Sequence, residues 1–322
     1  MQNISQLKYP YNENIIKNLE DIINNKKLSN AYIFYGPEGI GKKEVAFEFI
    51  NQLMNINNSE VNSEKKIREN NHPDFAHIQP TYLQKGNLIN QSELVSENKQ
   101  NSLPIIRIDQ IRNIRNFISK KCMQSERKIV LIDDAHLLNE AASNCLLKTL
   151  EEPTNGLFIL LTSKMNLLLD TIISRCQKIR FQTLSNHQLK EFFKQNINST
   201  QGLEQNIINI EELIYLSNGS PGKLVENIRL WNTIPGNIKE KISYPMKEFS
   251  DAIILSKSIY DQLDLVQQDL LINYIQLTWW QKLKSKEIIQ IMEELKLNLI
   301  KNIQPRLSWE VSLIKVKMII YP

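Results

Sequence analysis

Apolar positions along the chain fall into two regimes. In the first half, short unbroken apolar runs alternate with stretches in which apolar residues recur every three or four positions; in the second half only the helical spacing remains. The unbroken runs are 31–35 (AYIFY), 129–132 (IVLI) and 157–161 (LFILL). Each is uncharged and short, the signature of a strand covered on both faces of a parallel sheet. Weaker strand signals lie at 75–78 and in QKIRF after Cys176. Ahead of the first run, Ile15, Ile16, Leu19, Ile22 and Ile23 form one helical stripe, and after it Val45, Ala46, Phe49 and Ile50 form another. A third helix, with Asp109 as its expected cap, carries Ile111, Ile114, Phe117 and Ile118. A fourth opens at Asn139, presents Ala142, Cys145, Leu146, Thr149 and Leu150, and is expected to stop at Pro153. Strands alternating with helices predict an α/β domain over 1–182.

Beyond it the strand signal disappears. Ser185 and Gln188 form a capping box ahead of HQLKEFFKQN, and 210–216 reads as a helix ending at Asn218 and Gly219. Ser220 and Pro221 then supply the cap and first residue of another. These short helices predict a small bundle over 183–234, and TIPGN (233–237) marks its boundary. Residues 235–322 contain four long helical stretches whose Ile, Leu and Trp stripes suit a core or a subunit interface. Residues 55–71 are expected to be a mobile connection and 81–104 a surface insertion, because neither holds a period.

The candidate chemistry begins where the first strand ends. The string GPEGIGKK (36–43) places Gly36, Gly39 and Gly41 in a turn between strand and helix. Glycines let backbone N–H groups curl around an anion, the helix N-terminus adds partial positive charge, and Lys42 can reach terminal phosphates. The residue after GK is normally Ser or Thr, whose hydroxyl holds Mg²⁺. Here it is Lys43, which has no oxygen to offer. The strand at 129–132 ends in Asp133 and Asp134, at the ligand edge of such a sheet. Asp133 is placed for Mg²⁺, whereas Asp134 is one methylene shorter than the Glu expected to polarise water, and about 1 Å of misplacement can cost on the order of a hundredfold in rate. Thr162 and Ser163 end the next strand and could set a hydroxyl beside phosphates.

Composition changes this picture little. A chain of 322 residues with 42% hydrophobic and 23% charged content suits a soluble protein of two or three domains. The N-terminus MQNISQLKYP has no signal-peptide core and no apolar run would span a bilayer, so the expected location is the cytoplasm. Cys122, Cys145 and Cys176 lack metal-site spacing, and the group His72, Asp74 and His77 has no fourth ligand nearby, so no metal site is expected. The net charge of +4 is compatible with a nucleic-acid partner, as is the stripe Arg112, Arg115 and Lys120; a solvated helix face is the preferred reading of the stripe.

Taken in order, LSNAYIFYGPEGIGK, HPDF, IRIDQIR, IVLIDDAHLLNEAASNCLLKTLEEPTNGLFILLTS, TIISRCQ, SNGSPGK and NIQPRLSWE resemble the delta-prime subunits of bacterial DNA polymerase III clamp loaders, a family of AAA+ proteins. The resemblance implies an AAA+ parallel sheet with helices on both faces, a helical lid and a C-terminal helical collar. It also implies a hetero-pentamer with gamma/tau-type and delta-type subunits, acting on a sliding clamp and primed DNA. Delta-prime subunits are regarded as rigid elements that do not hydrolyse ATP, and their SRC motif lends an arginine finger to a neighbour's ATP site. Carried over, that finger is Arg175, and Lys223 stands where active subunits carry a lid Arg that senses the γ-phosphate. Lys43 and Asp134 both favour an inactive site, with ATP or ADP bound weakly and Mg²⁺ not expected. The four-cysteine zinc module often inserted in the family has no counterpart here, so zinc is not expected either. The alternatives are an active gamma-type ATPase using Lys42, Asp133 and a hydroxyl from Thr162 or Ser163, and a stand-alone DNA-binding AAA+ protein.

Overall fold

A computed structural model describes residues 10–55, 63–84, 87–90, 104–152, 156–196 and 210–321. The chain divides into two compact units, Met1–Thr183 and Leu184–Pro322. The first unit runs α1 (Glu13–Asn24), β1 (Ala31–Tyr35), α2 (Lys42–Asn55), α3 (Ser63–Arg68), β2 (Phe75–Ile78), β3 (Thr81–Gln84) and β4 (Asn87–Asn90). It continues with α4 (Ile108–Ile118), β5 (Lys128–Ile132), α5 (Glu140–Glu151), β6 (Gly156–Thr162), α6 (Asp170–Ile173) and β7 (Gln177–Arg180).

Five of these strands form one parallel sheet in the order β2-β5-β6-β1-β7. Side chains alternate across it, as the period of two requires. Tyr32, Phe34, Ile129, Leu131, Leu157 and Ile159 pack on one face with Leu19 of α1 and Phe49 and Ile50 of α2. Ala31, Ile33, Val130, Ile132, Phe158 and Leu160 pack on the other with Ile111 and Ile114 of α4 and Ala142 and Leu146 of α5. Every position of β5 and β6 is buried for this reason. At about 1.5–3 kcal/mol per buried large apolar side chain, the two faces supply most of what holds the unit together.

Two local expectations are corrected, and the insertion at 81–104 gains an internal structure. Within 55–71, Ser63–Arg68 is a helix, and Ile67, 1% exposed, is the apolar residue that anchors it to the α2 face. Within 81–104, β3 and β4 pair as an antiparallel hairpin, and Thr81 bridges to Ile105. Asp109 is not the cap of α4: the N-cap is Arg107, whose backbone N–H donates to the Gln110 side chain at 2.9 Å. Asp109 instead lies in the first turn, where a carboxylate favours the helix dipole, and pairs with Arg112. Asn139 does cap α5, accepting from the Ala142 N–H at 2.8 Å. The stop expected at Pro153 lies outside the described residues.

The second unit is helical: α7 (Asn186–Asn196), α8 (Ile210–Leu216), α9 (Pro221–Thr233), α10 (Gly236–Ile242), α11 (Phe249–Gln262), α12 (Leu265–Leu283), α13 (Lys286–Ile300) and α14 (Pro305–Ile320). The Ser185–Gln188 box and the Ser220 cap form as expected. One hydrophobic core runs from Leu189 to Val316, and helices on both sides of residue 235 contribute to it. Its two fully buried tryptophans satisfy their ring N–H groups, Trp279 on the Ile242 carbonyl and Trp309 on Gln268 Oε1, both at 2.9 Å. Among the described residues no helix is long and apolar enough to cross a membrane.

Candidate functional site

Because the strands are parallel, β1, β5 and β6 deliver Gly36, Asp133 and Ser163 to the same edge of the sheet. There the chain between β1 and α2 curls. Gly36, Gly39 and Gly41 have φ of +149°, +72° and +86°, values that side chains disfavour. Gly36 is also constrained by space, since a Cβ there would lie 2.4 Å from the Phe181 carbonyl oxygen. Asn12, just ahead of α1, steadies the turn by donating to the Ile40 carbonyl at 3.0 Å.

Lys42 folds over this turn. Its ammonium donates to the Gly36 carbonyl at 2.7 Å and to the Pro37 carbonyl at 2.5 Å. Burial lowers its pKa, opposed by the nearby carboxylates of Asp134 and Glu38. A phosphate entering the turn would compete with two carbonyls for this charge, and would meet the N-terminus of α2.

Lys43 turns the other way. Its Nζ lies 2.7 Å from Asp133 Oδ2, and the same oxygen meets His77 Nε2 at 2.9 Å and Gln79 Nε2 at 3.4 Å. Burial alone would raise the Asp133 pKa, but the His77 hydrogen bond and the Lys43 charge hold it at about 2. Asp134 follows in the left-handed region, φ +44° and ψ +50°, and is exposed. Its pKa is raised, first by desolvation and then by the neighbouring Asp133 charge.

Of the two hydroxyls at the end of β6, that of Thr162 is fully buried, 3.3 Å from His136 Nδ1, and accepts from the Lys164 N–H at 3.1 Å. Ser163 is half-buried beside it. Arg175 lies apart from this cluster, exposed on the turn between α6 and β7, where it donates to the Thr171 carbonyl at 2.8 Å and pairs with Glu151. Lys223 belongs to the second unit, exposed in the first turn of α9 with its N–H on the Ser220 hydroxyl.

Sequence reasoning missed His77 and Gln79 as partners of Asp133. The available signal was β2 itself: a strand beside β5 sets its C-terminal residues next to those of β5, with His77 in register with Leu131. His72 and Asp74 do not join His77. Asp74 is fully buried and accepts from the backbone N–H groups of Met123, Gln124 and Ser125.

The fit of a magnesium ion can be tested on these donors. Such an ion takes oxygen ligands, typically a hydroxyl and one or two carboxylates together with phosphate and water. Here the hydroxyl position holds an ammonium, and three nitrogen donors crowd one oxygen of the carboxylate. The residues present do not fit the metal.

A parallel sheet of this order, with a glycine turn on β1, carboxylates ending β5 and helices on both faces, is an AAA+ P-loop module. The chain belongs to the family described as DNA polymerase III, delta subunit, whose model matches residues 11–185, more than half of its length. Residues 188–316 match the family described as cyanobacterial DNA polymerase III delta prime, C-terminal domain. The chain is 32% identical over 176 residues to DNA polymerase III subunit delta′ of Bacillus subtilis, covering 53% of this chain and 47% of that one. It is 32% identical over 155 residues to subunit delta′ of Pseudomonas aeruginosa, covering 46% and 42%. A match to subunit tau of B. subtilis, 31% identical over 178 residues, covers 55% of this chain and 29% of that one. The chain thus spans about half or less of the length of these curated relatives. Among solved structures, a DNA polymerase III gamma subunit-related protein from Thermotoga maritima superposes with a TM-score of 0.52, covering 93% of this chain and 98% of that one at 16% identity, a likeness of fold.

Proposed function

We propose that this chain is the delta-prime subunit of a DNA polymerase III clamp loader, working in the cytoplasm with gamma/tau-type and delta-type subunits to place a sliding clamp on primed DNA. In this reading it is an assembly component that turns over little or no ATP itself. The observation that carries it is the Lys43–Asp133 pair, 2.7 Å long. In a working loop these two positions share a metal ion between hydroxyl and carboxylate; here they neutralise each other. The left-handed, exposed Asp134 adds to the same conclusion, because a shorter carboxylate must be held well to polarise water.

Its contribution to catalysis is then made in trans by Arg175, which stands on a surface turn rather than at the chain's own glycine loop. A guanidinium so placed against a neighbour's triphosphate stabilises the charge on the transferring phosphoryl group, an effect worth on the order of 10³ to 10⁵ in rate. The isolated chain is expected to hydrolyse ATP negligibly, and turnover of roughly 1 per second would overturn the reading. Co-purification with candidate clamp-loader subunits, followed by ATPase assays with clamp and primed DNA, tests the assembly role. Arg175→Ala is expected to lower stimulated hydrolysis at saturating ATP while the complex still assembles.

A further inference from the structure

The glycine turn of the first unit keeps the backbone of a phosphate-binding loop, with three residues at positive φ leading into a helix of 14 residues. One side chain sets it apart from a metal-dependent loop. The Lys43 side chain is 40% exposed and that of Asp133 only 12%, so the ammonium reaches inward from the open side and is held by the carboxylate at its inner end. His77 and Gln79 approach the same oxygen, Oδ2, from β2 and the residue beyond it. A divalent cation seated here would have to share this carboxylate with three nitrogen donors and stand next to an ammonium of like charge. The pair is neutral as it stands, which leaves Lys42 and the start of α2 to face an anion.

We propose that Lys43 is a built-in cation that bars Mg²⁺ from this loop, and that exchanging this one side chain for a hydroxyl opens a magnesium-dependent nucleotide site. The named contacts to Asp133 all fall on Oδ2. With the ammonium gone, the Asp133 carboxylate and the new hydroxyl would be the oxygens available to hold the metal, while His77 and Gln79 keep the carboxylate oriented. The inference concerns this chain alone and stands whether or not Arg175 serves a neighbour.

The test is isothermal titration calorimetry of ADP into the full chain, with Mg²⁺ and with EDTA. Wild type is expected to bind ADP no more than about twofold tighter with the metal, or in neither buffer. Lys43→Thr is expected to bind it at least about tenfold tighter with Mg²⁺ than with EDTA, and Lys43→Ser likewise. Adding Asp133→Asn to Lys43→Thr should abolish that gain. Circular dichroism and thermal melting establish that each variant is folded, and Lys43→Ser stands in should the threonine variant not be. The proposal fails if wild type itself gains tenfold from Mg²⁺, since Lys43 then bars nothing. It fails equally if a folded Lys43→Thr or Lys43→Ser variant shows no gain.

Discussion

Asp74 is a carboxylate with no access to solvent. It accepts from the N–H groups of Met123, Gln124 and Ser125 at 3.0, 2.7 and 2.9 Å, and Lys128 Nζ, itself 4% exposed, lies 3.5 Å away. Burial raises its pKa, but these N–H groups outweigh burial and hold it at about 2, below the ordinary 3.8. A depressed folded pKa stabilises above the unfolded value, and that stability is lost as pH falls toward the folded one. Asp74→Ala is therefore expected to cost about 3–5 kcal/mol in urea unfolding at pH 7, because it leaves the Lys128 ammonium buried beside three unpaired donors. The gap between wild type and variant should narrow as pH falls from about 4 to about 2. Cys176 gives a second check at this scale. Burial pushes its thiol up to about 12, so iodoacetamide at pH 8 should spare it in the native chain and modify it in urea, as read by mass spectrometry. Lys42, Lys43 and Asp133 were legible in the sequence because a glycine motif and a strand end fix their places. The contact of His77 with Asp133 was not, because 56 residues separate them and strand order alone makes them neighbours.

The element that sets the geometry of the site is the turn between β1 and α2, and Gly36 is its least replaceable residue. Its φ of +149° suits glycine, and an added Cβ would press on the carbonyl of Phe181, whose N–H is bonded to the Tyr35 carbonyl at 2.8 Å. Since backbone cannot yield as a side chain end can, Gly36→Ala is expected to destabilise the chain by roughly 1–3 kcal/mol, measured by thermal unfolding. The elements easiest to read from sequence were β1, β5 and β6, because burial on both faces demands unbroken apolar runs. Those missed had little to show. The helix α3 offers Ile67 among charged neighbours, and the four-residue strands β3 and β4 are too short to establish a period. At α4 the sequence suggested an acidic cap, and the glutamine three residues after Arg107 does the work instead.

At the scale of the whole chain, the question is which segments can fold by themselves, and the cores answer it. Sheet residues and the helices on either face complete the hydrophobic clusters of the first unit before Leu184. Among its described residues the second unit has no comparable break. Ile234, within TIPGN, and Ile238, just after it, are 2% and 1% exposed and lie in the same cluster, together with Leu189 on one side and Trp309 on the other. Trp231 of α9 packs against Tyr274 of α12, with ring centroids 4.3 Å apart and planes tilted by 41°, and Trp279 of α12 is tied to the Ile242 carbonyl. Cutting at residue 235 would expose apolar surface on both pieces at about 25 cal/mol per Å², whereas a cut before Leu184 leaves each core whole. Fragments 1–183 and 184–322 are therefore expected to unfold cooperatively in urea, followed by circular dichroism, and fragment 235–322 to unfold without a cooperative transition. A sharp transition in 235–322 would mean that α11 to α14 form a self-sufficient bundle, and that the contacts made by Trp231 and Leu189 add to a core already complete.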